Sequence, residues 1–454
     1  MHWIKISCIL CMFGCFKDFR PIEPFITDYF IGYKNFTASE VNHDIYPIIT
    51  YSYLSTLVFV FLITDFVRYK PIIILCGLSG IIAFLLLILE ENVLVMQIAE
   101  LFFGLFLSTK VAYYTYIYAK VDKQHYQELT SHTKAASLFG HSVSGIVAQL
   151  TASFELLNYY QLNYLTVLAI TVATIWSLFL PPVDRSIYFH HVDNFSNDNE
   201  NPATLIQEMK EMINQSQPSS DLPELCDNKN SKTKRSILSK IKNAYKLLWK
   251  HFLQAYTNYH VIKWSAWWAL STCGYVLVEI YSQLLWQTAV KTGDKIYNGA
   301  VDFAYAIIGA MSVFAVGKIR LNWILVGDIM CSVFAFLGGA ILLASSYIYN
   351  IWFLYIGYVV FGIIYHTMVT VASFEVAKRI SQDSHGLIFG VNMFLALLMQ
   401  SLILVIVNML MLDIRQQYCI YSGYHLVLGV IYIVLAVITI KKHRRNTTQI
   451  RWTS

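Results

Sequence analysis

Charge is scarce in this chain: Asp, Glu, Lys and Arg make up 13% of 454 residues, whereas 56% are hydrophobic. Together with a positive mean hydropathy, that balance excludes an ordinary soluble globule, whose surface needs more charge to face water. No GxxxxGK[ST] phosphate loop occurs, which argues against an ATP-driven pump and for a gradient as the driving force. The eight cysteines show no CxxC…CxxC spacing. Cys8, Cys11, Cys15, Cys76, Cys273 and Cys331 lie in apolar runs, which predicts core packing and no metal site. No small-x-small cleavage site follows the short apolar run Ile6–Phe16, so the N-terminus is read as part of the mature chain. The formal net charge of +5 is accounted for by basic loops, without nucleic acid.

What the chain has instead is long apolar runs, twelve of them, split six and six. The fold class expected is an all-α membrane protein of twelve transmembrane helices in two six-helix halves, the major facilitator architecture. Residues 1–180 form the first half and residues 259–440 the second. A cytosolic loop over 181–258 divides them, and 441–454 is a tail. Most of the loop is polar and reads as disordered. Its end, Ser236–His251, reads as an amphipathic helix, with Ile237, Ile241, Tyr245, Leu248 and Phe252 opposite Lys240, Lys242, Lys246 and Lys250. Such a helix suits either an anionic leaflet or a partner protein. Basic residues recur on alternate turns and at the C-terminus, which places both termini in the cytosol and Asn35-Phe36-Thr37 outside, where Asn35 is a candidate glycosylation site.

The first run, Trp3 to Gly32, carries Lys17, Asp18, Arg20, Glu23 and Asp28 inside an apolar and aromatic stretch. A charge at the bilayer centre costs about 2.5–3.5 kcal/mol on insertion scales, so ionisable residues there face a cavity or a partner. Pro21 and Pro24 remove backbone donors, which predicts a break near Arg20–Pro24 with carbonyls left free to line a cavity. His141 and His366, in spans five and ten, are each either a proton carrier or a satisfied hydrogen-bonder. Glu279, in span seven, is a candidate to neutralise Lys110 in span four. Tyr113 lies near the face of Lys110 and either stacks on a ligand ring or packs in the core.

The segments RPIEPFITDYFIGYKNFT, EVNHDIYPIITYSYL, LITDFVRYKPIIIL, VAYYTYIYAKVDKQHYQ, SAWWALSTCGY, KIYNGAVD and GLIFGVNMFLALLMQSLI resemble the reduced folate and thiamine carriers of the major facilitator superfamily. The resemblance covers nearly every span. It implies a non-enzymatic plasma-membrane secondary carrier of a water-soluble vitamin, without a cofactor, coupled to a proton or a counter-anion. It also implies that Glu23 is the first-helix glutamate of both folate and thiamine types. Tyr46 stands where the thiamine type has a clamping aromatic, whose second ring is replaced here by Ile49. Asn298 matches a position near the ligand. Asp65 and Arg68, in TDFVRYKP, resemble the superfamily's gating motif. Lys110 stands where the thiamine type is acidic and the folate type has arginine. Gly362 and Gln400 stand where the folate type is basic, and Gln400 is the thiamine-type choice.

A thiazolium cation wants carboxylates and aromatic faces, whereas the glutamate tail of a folate wants cations. On Lys110 the expectation therefore places a folate-like anion ahead of thiamine. The alternatives are thiamine uptake, a folate-carrier-like protein that no longer moves folate, and a non-transporting nutrient sensor. The candidate binding residues are Glu23, Tyr46, Lys110, Tyr113, His141, Asn298 and Gln400.

Overall fold

In a computed structural model, the structure describes residues 3–67, 69–89, 92–110, 112–113, 116, 120, 126–183, 237–291, 295–318, 323–380 and 384–453. Among them the regular structure is helical. The long helices are α1 (Trp3–Lys17), α2 (Tyr46–Val67), α3 (Lys70–Leu89), α4 (Val93–Ser108), α5 (Tyr126–Ser153), α6 (Tyr159–Ser177) and α7 (Ile237–Tyr256). They continue as α8 (Tyr259–Gln287), α9 (Asn298–Lys318), α10 (Trp323–Tyr347), α11 (Ile351–Ala377), α12 (His385–Met409) and α13 (Ile414–Thr453).

Seven stretches among the described residues are long and apolar enough to cross a membrane: Ala38–Thr64, Lys70–Leu89, Asn298–Val316, Val326–Tyr347, Ile351–Ala377, His385–Met409 and Ile414–Lys442. Val93–Ser108 is apolar but shorter. The protein is thus a multi-span membrane bundle of helices. Its outward faces agree: Phe59, Phe314 and Val430 are exposed, a surface that lipid covers and water would not.

Proline punctuates the first run as expected. Helix α1 stops at Lys17, and the chain resumes as a 3-10 turn over Glu23–Phe25, one α-turn at Ile26–Asp28 and a π-turn at Tyr29–Tyr33. The next helix starts on a capping box, in which Thr37 Oγ1 accepts from the Glu40 N–H at 3.2 Å and Glu40 Oε2 accepts from the Thr37 N–H at 2.8 Å. Helix α13 differs from the expected boundary at 440, for its backbone stays helical to Thr453. Cys8 differs too. It lies exposed on α1, while Cys76, Cys273 and Cys331 are buried as expected.

Helices α1–α6 and α8–α13 meet at one end in a shared buried cluster that includes Phe25, Tyr29, Ile45, Trp286, Tyr355 and Tyr418. Toward the opposite end each set has its own cluster, around Leu10, Phe13 and Ile73 in one and around Trp264, Trp267 and Tyr432 in the other. Close approach of α5 to α9 needs glycine: a Cβ on Gly145 would sit 2.8 Å from the Gly299 carbonyl oxygen, so the two backbones touch as small residues allow in membranes. A cavity lies between the two sets.

Candidate substrate cavity

The broken first run builds one wall of the cavity. After α1 ends, the Glu23 N–H donates to the Arg20 carbonyl at 3.0 Å and the Phe25 N–H to the Ile22 carbonyl at 2.9 Å. This tight turn brings Arg20 and Glu23 to the same opening, where they form an ion pair. The backbone left irregular is satisfied from α8: Gln283 Nε2 donates to the Glu23 carbonyl at 2.7 Å, and Gln283 Oε1 accepts from the Thr27 N–H at 3.1 Å. Irregular backbone within a membrane persists only where such partners exist. Asp18, one turn earlier, accepts from Lys17 Nζ at 2.9 Å and lies 3.6 Å from Arg20 Nη2.

The cavity has a volume of about 460 Å³, enough for a vitamin-sized ligand. Aromatic walls come from Tyr46, Tyr53, Phe84, Phe103, Trp286 and Tyr358. Five carboxylates line it, on Asp18, Glu23, Glu100, Glu279 and Asp302, against three Lys or Arg side chains, on Arg20, Lys110 and Lys134. Asp302 Oδ2 is 3.1 Å from His141 Nε2. Glu279 accepts from the Tyr275 hydroxyl at 2.9 Å. Tyr275 in turn bonds Tyr305, and Tyr305 bonds His366 Nε2. The ring of Tyr365 lies flat on Tyr275, with centroids 3.8 Å apart and 4° between planes. Glu100 is 5% exposed and faces the cavity, with no hydrogen-bonding or ion-pair partner among the described residues.

Of the expected binding residues, Glu23, Tyr46, Lys110 and His141 come together on the cavity wall. Tyr46 hydrogen-bonds Thr27 at 2.5 Å and packs edge-on against Tyr281. Lys110 faces the same space as Glu279, but no ion pair within 4.0 Å joins them. Three other candidates lie off the cavity wall. Tyr113 is buried away from the cavity, donating to the Leu10 carbonyl at 2.7 Å with its ring 5.3 Å from that of Phe13. Tyr113 lies one helical turn from Lys110, but its side chain points toward α1, where the Leu10 carbonyl and the Phe13 ring engage it.

Asn298 is the first residue of α9 and lies off the cavity wall, donating to Asp28 Oδ2 at 3.1 Å and accepting from the Tyr355 hydroxyl at 2.7 Å. Gln400 is fully buried between α12 and α2, donating to Thr50 Oγ1 at 2.8 Å. Both are interhelical struts. The side chain of Asp65 and the whole of residue 68 lie outside the described residues. Asn35 is exposed, with φ at 59°. Gly362 has a packing reason: a Cβ there would stand 2.1 Å from Tyr305 Cε2, so the Tyr305 ring fills the space a basic side chain would take.

Sequence reasoning passed over Glu100, Asp302 and Tyr305 as site residues, and Gln283 as the strut of the broken run. The first two carried a signal, being carboxylates inside apolar runs. Tyr305 and Gln283 carried none, because a Tyr-rich or Gln-bearing span has no period that marks which face meets a cavity.

The model of the family described as "Reduced folate carrier" matches residues 1–420. The human protein "Thiamine transporter 1" is 36% identical, over 98% of this chain and 92% of its own length. "Folate transporter 1" of Caenorhabditis elegans is 32% identical, over 99% of this chain and 96% of its own. Among solved structures, a POT family transporter in complex with a thioalcohol-conjugated peptide superposes with a TM-score of 0.60 at 12% identity, covering 96% of each chain. With the whole helical bundle matched and the break, the charged cavity and the first-run glutamate in place, this chain belongs to the reduced folate carrier family, the folate and thiamine branch of the major facilitator superfamily, and is a membrane transporter and not an enzyme.

Proposed function

We propose that this protein is a plasma-membrane secondary carrier that takes up thiamine or a closely similar organic cation. The carrying observation is the acidic lining of the cavity: five carboxylates against three Lys or Arg side chains and His141, which Asp302 engages, with Glu100 left unpartnered among the described residues beside aromatic walls. A thiazolium ring is attracted by carboxylates and by the faces of Tyr, Trp and Phe, most strongly where water is excluded. The expectation built on Lys110 alone ranked folate first. The order reverses because Lys110 shares its cavity with an excess of acids, because Tyr305 occupies the room beside Gly362, and because Gln400 is engaged by Thr50. The higher identity to a thiamine transporter than to a folate transporter supports the same order.

The accompanying architecture is twelve spans in two halves, 1–180 and 259–440, with 181–258 and 441–454 and both termini in the cytosol. The halves rock about the cavity between them, as alternating access requires. The cluster that both halves share at the Trp286 end fits a state closed on that side. Coupling is by proton movement or by exchange against an anion.

A folate-type anion is the second reading, favoured by Lys110 and Lys134 on the cavity wall. Saturable uptake of labelled thiamine into cells expressing the protein, competed by excess thiamine and not by reduced folate, is the expected result. Uptake of labelled folate alone reverses the order. Binding of either vitamin without uptake makes the protein a sensor.

A further inference from the structure

Helix α7 (Ile237–Tyr256) packs one side against the bundle and, among the described residues, leaves an apolar pair and three lysines exposed. Leu248, Phe252 and Tyr256 pack against the cluster around Trp264 and Trp267, where Ala255 is buried. The Tyr256 hydroxyl donates to Asn392 Oδ1 at 3.0 Å, which ties the helix to α12. This arrangement departs from the expected apolar face: Leu248 and Phe252 turn inward, whereas Tyr245 stays exposed. The side chains of Ile237, Lys240 and Ile241 lie outside the described residues.

The second face carries Trp249 and Leu253, exposed at 59% and 49%. Spaced four apart, these residues form one row along the helix. The third face carries Lys242, Lys246 and Lys250, all exposed. At about 100° per residue the lysines lie between about 20° and 100° round the helix from Trp249, while Phe252 and Leu248 lie about 60° and 100° the other way. Lys242, about 20° from Trp249, therefore interleaves with Trp249 and Leu253, and Lys246 and Lys250 continue on the side away from Phe252 and Leu248. The bare row runs on past the Thr257–Asn258 corner into exposed Tyr259 and Ile262, on the first turn of α8.

We infer that α7 is an interfacial helix that binds anionic phospholipid of the leaflet it adjoins, with Trp249 and Leu253 sunk at the acyl boundary and Lys242, Lys246 and Lys250 on the headgroups. The occupant is lipid because the bare apolar row is continuous with the flank of a bundle helix, and because a row of cations directly beside it complements acidic headgroups. Lysine stems extend along an apolar surface while their ammonium groups reach the phosphates. Anionic lipid belongs to the cytosolic leaflet, which is the side given to residues 181–258.

The test is amide hydrogen exchange over residues 237–256 of the full-length protein in nanodiscs of phosphatidylcholine, with and without phosphatidylserine. Each lysine at an anionic surface is worth roughly fivefold in binding, so the three together are worth about a hundredfold. The expected result is slower exchange across α7 in the serine-lipid discs, with the difference abolished in the triple variant Lys242→Gln, Lys246→Gln, Lys250→Gln. The Tyr256 to Asn392 contact should keep the variant helical, and its slow exchange at Ala255 would show that it has folded. Trp249→Ser is expected to weaken protection in both lipids. Equal exchange in the two lipids, or a lipid difference that survives the triple variant, overturns the inference. The readout involves no substrate, so it stands apart from the transport reading.

Discussion

Glu100→Gln is the sharpest perturbation of the cavity. The substitution keeps the shape of the side chain and removes the capacity of a buried carboxyl group, with no hydrogen-bonding or ion-pair partner among the described residues, to carry charge beside a bound cation. No such bond needs to break, so the effect on folding is small. The effect on a cationic ligand is not small. A charge about 5 Å from a cation at an effective dielectric near 20 is worth about 3 kcal/mol, roughly a hundredfold in affinity. Uptake of labelled thiamine by cells expressing parent and variant, corrected for surface level, should show KM raised about a hundredfold. A neutral pyrimidine lacking the thiazolium should compete against parent and variant alike. A KM within about threefold of the parent, a difference of under 1 kcal/mol, at equal surface level would refute the reasoning, since a carboxylate this close cannot be indifferent to a cation.

Other substitutions probe the frame that holds the cavity. Gly362→Ala places a Cβ 2.1 Å from the Tyr305 ring, and overpacking of this kind costs about 1–3 kcal/mol; a lower melting temperature of the purified protein is expected, and Tyr305→Phe should not restore it, because the ring remains. Lys263→Met strands Asp328, its partner at 2.7 Å with both side chains buried, at about 3–5 kcal/mol; expression should fall, and adding Asp328→Leu should recover most of it. Gln283→Ala removes the bonds that hold Glu23 O and Thr27 N, each worth about 1–3 kcal/mol when left unmade; cysteine labelling at the Trp286 end should become faster. Asn35→Gln should raise electrophoretic mobility only if the exposed asparagine carries a glycan, and digestion by a glycosidase should then leave the variant unchanged.

Much of the bundle was legible because composition and run length answer to the bilayer, a solvent of fixed thickness. The break after Lys17 was legible for a local reason, the two prolines. Glu23 and Lys110 were legible as cavity residues because charge inside an apolar run has few other places to go. Helical spacing could not place Tyr113, because its side chain is held by Leu10 and Phe13 of α1, a neighbour that spacing within one helix does not reveal. Asn298 and Gln400 were named from the family resemblance, and their partners Asp28 and Thr50 lie in distant parts of the chain, which no local pattern shows. Pairings such as His141 with Asp302 depend on which helices meet, and no single segment encodes that. The proposed reversal of the substrate ranking has the same origin, because the sign of a cavity belongs to all its walls and Lys110 is only one of them.

Equilibrium binding of labelled thiamine and labelled reduced folate to the purified protein in nanodiscs tests the central claim most directly. The charge of the cavity predicts saturable thiamine binding, weakened by Glu100→Gln and strengthened by Lys110→Gln. Saturable folate binding lost in Lys110→Gln, with no thiamine binding, would contradict it.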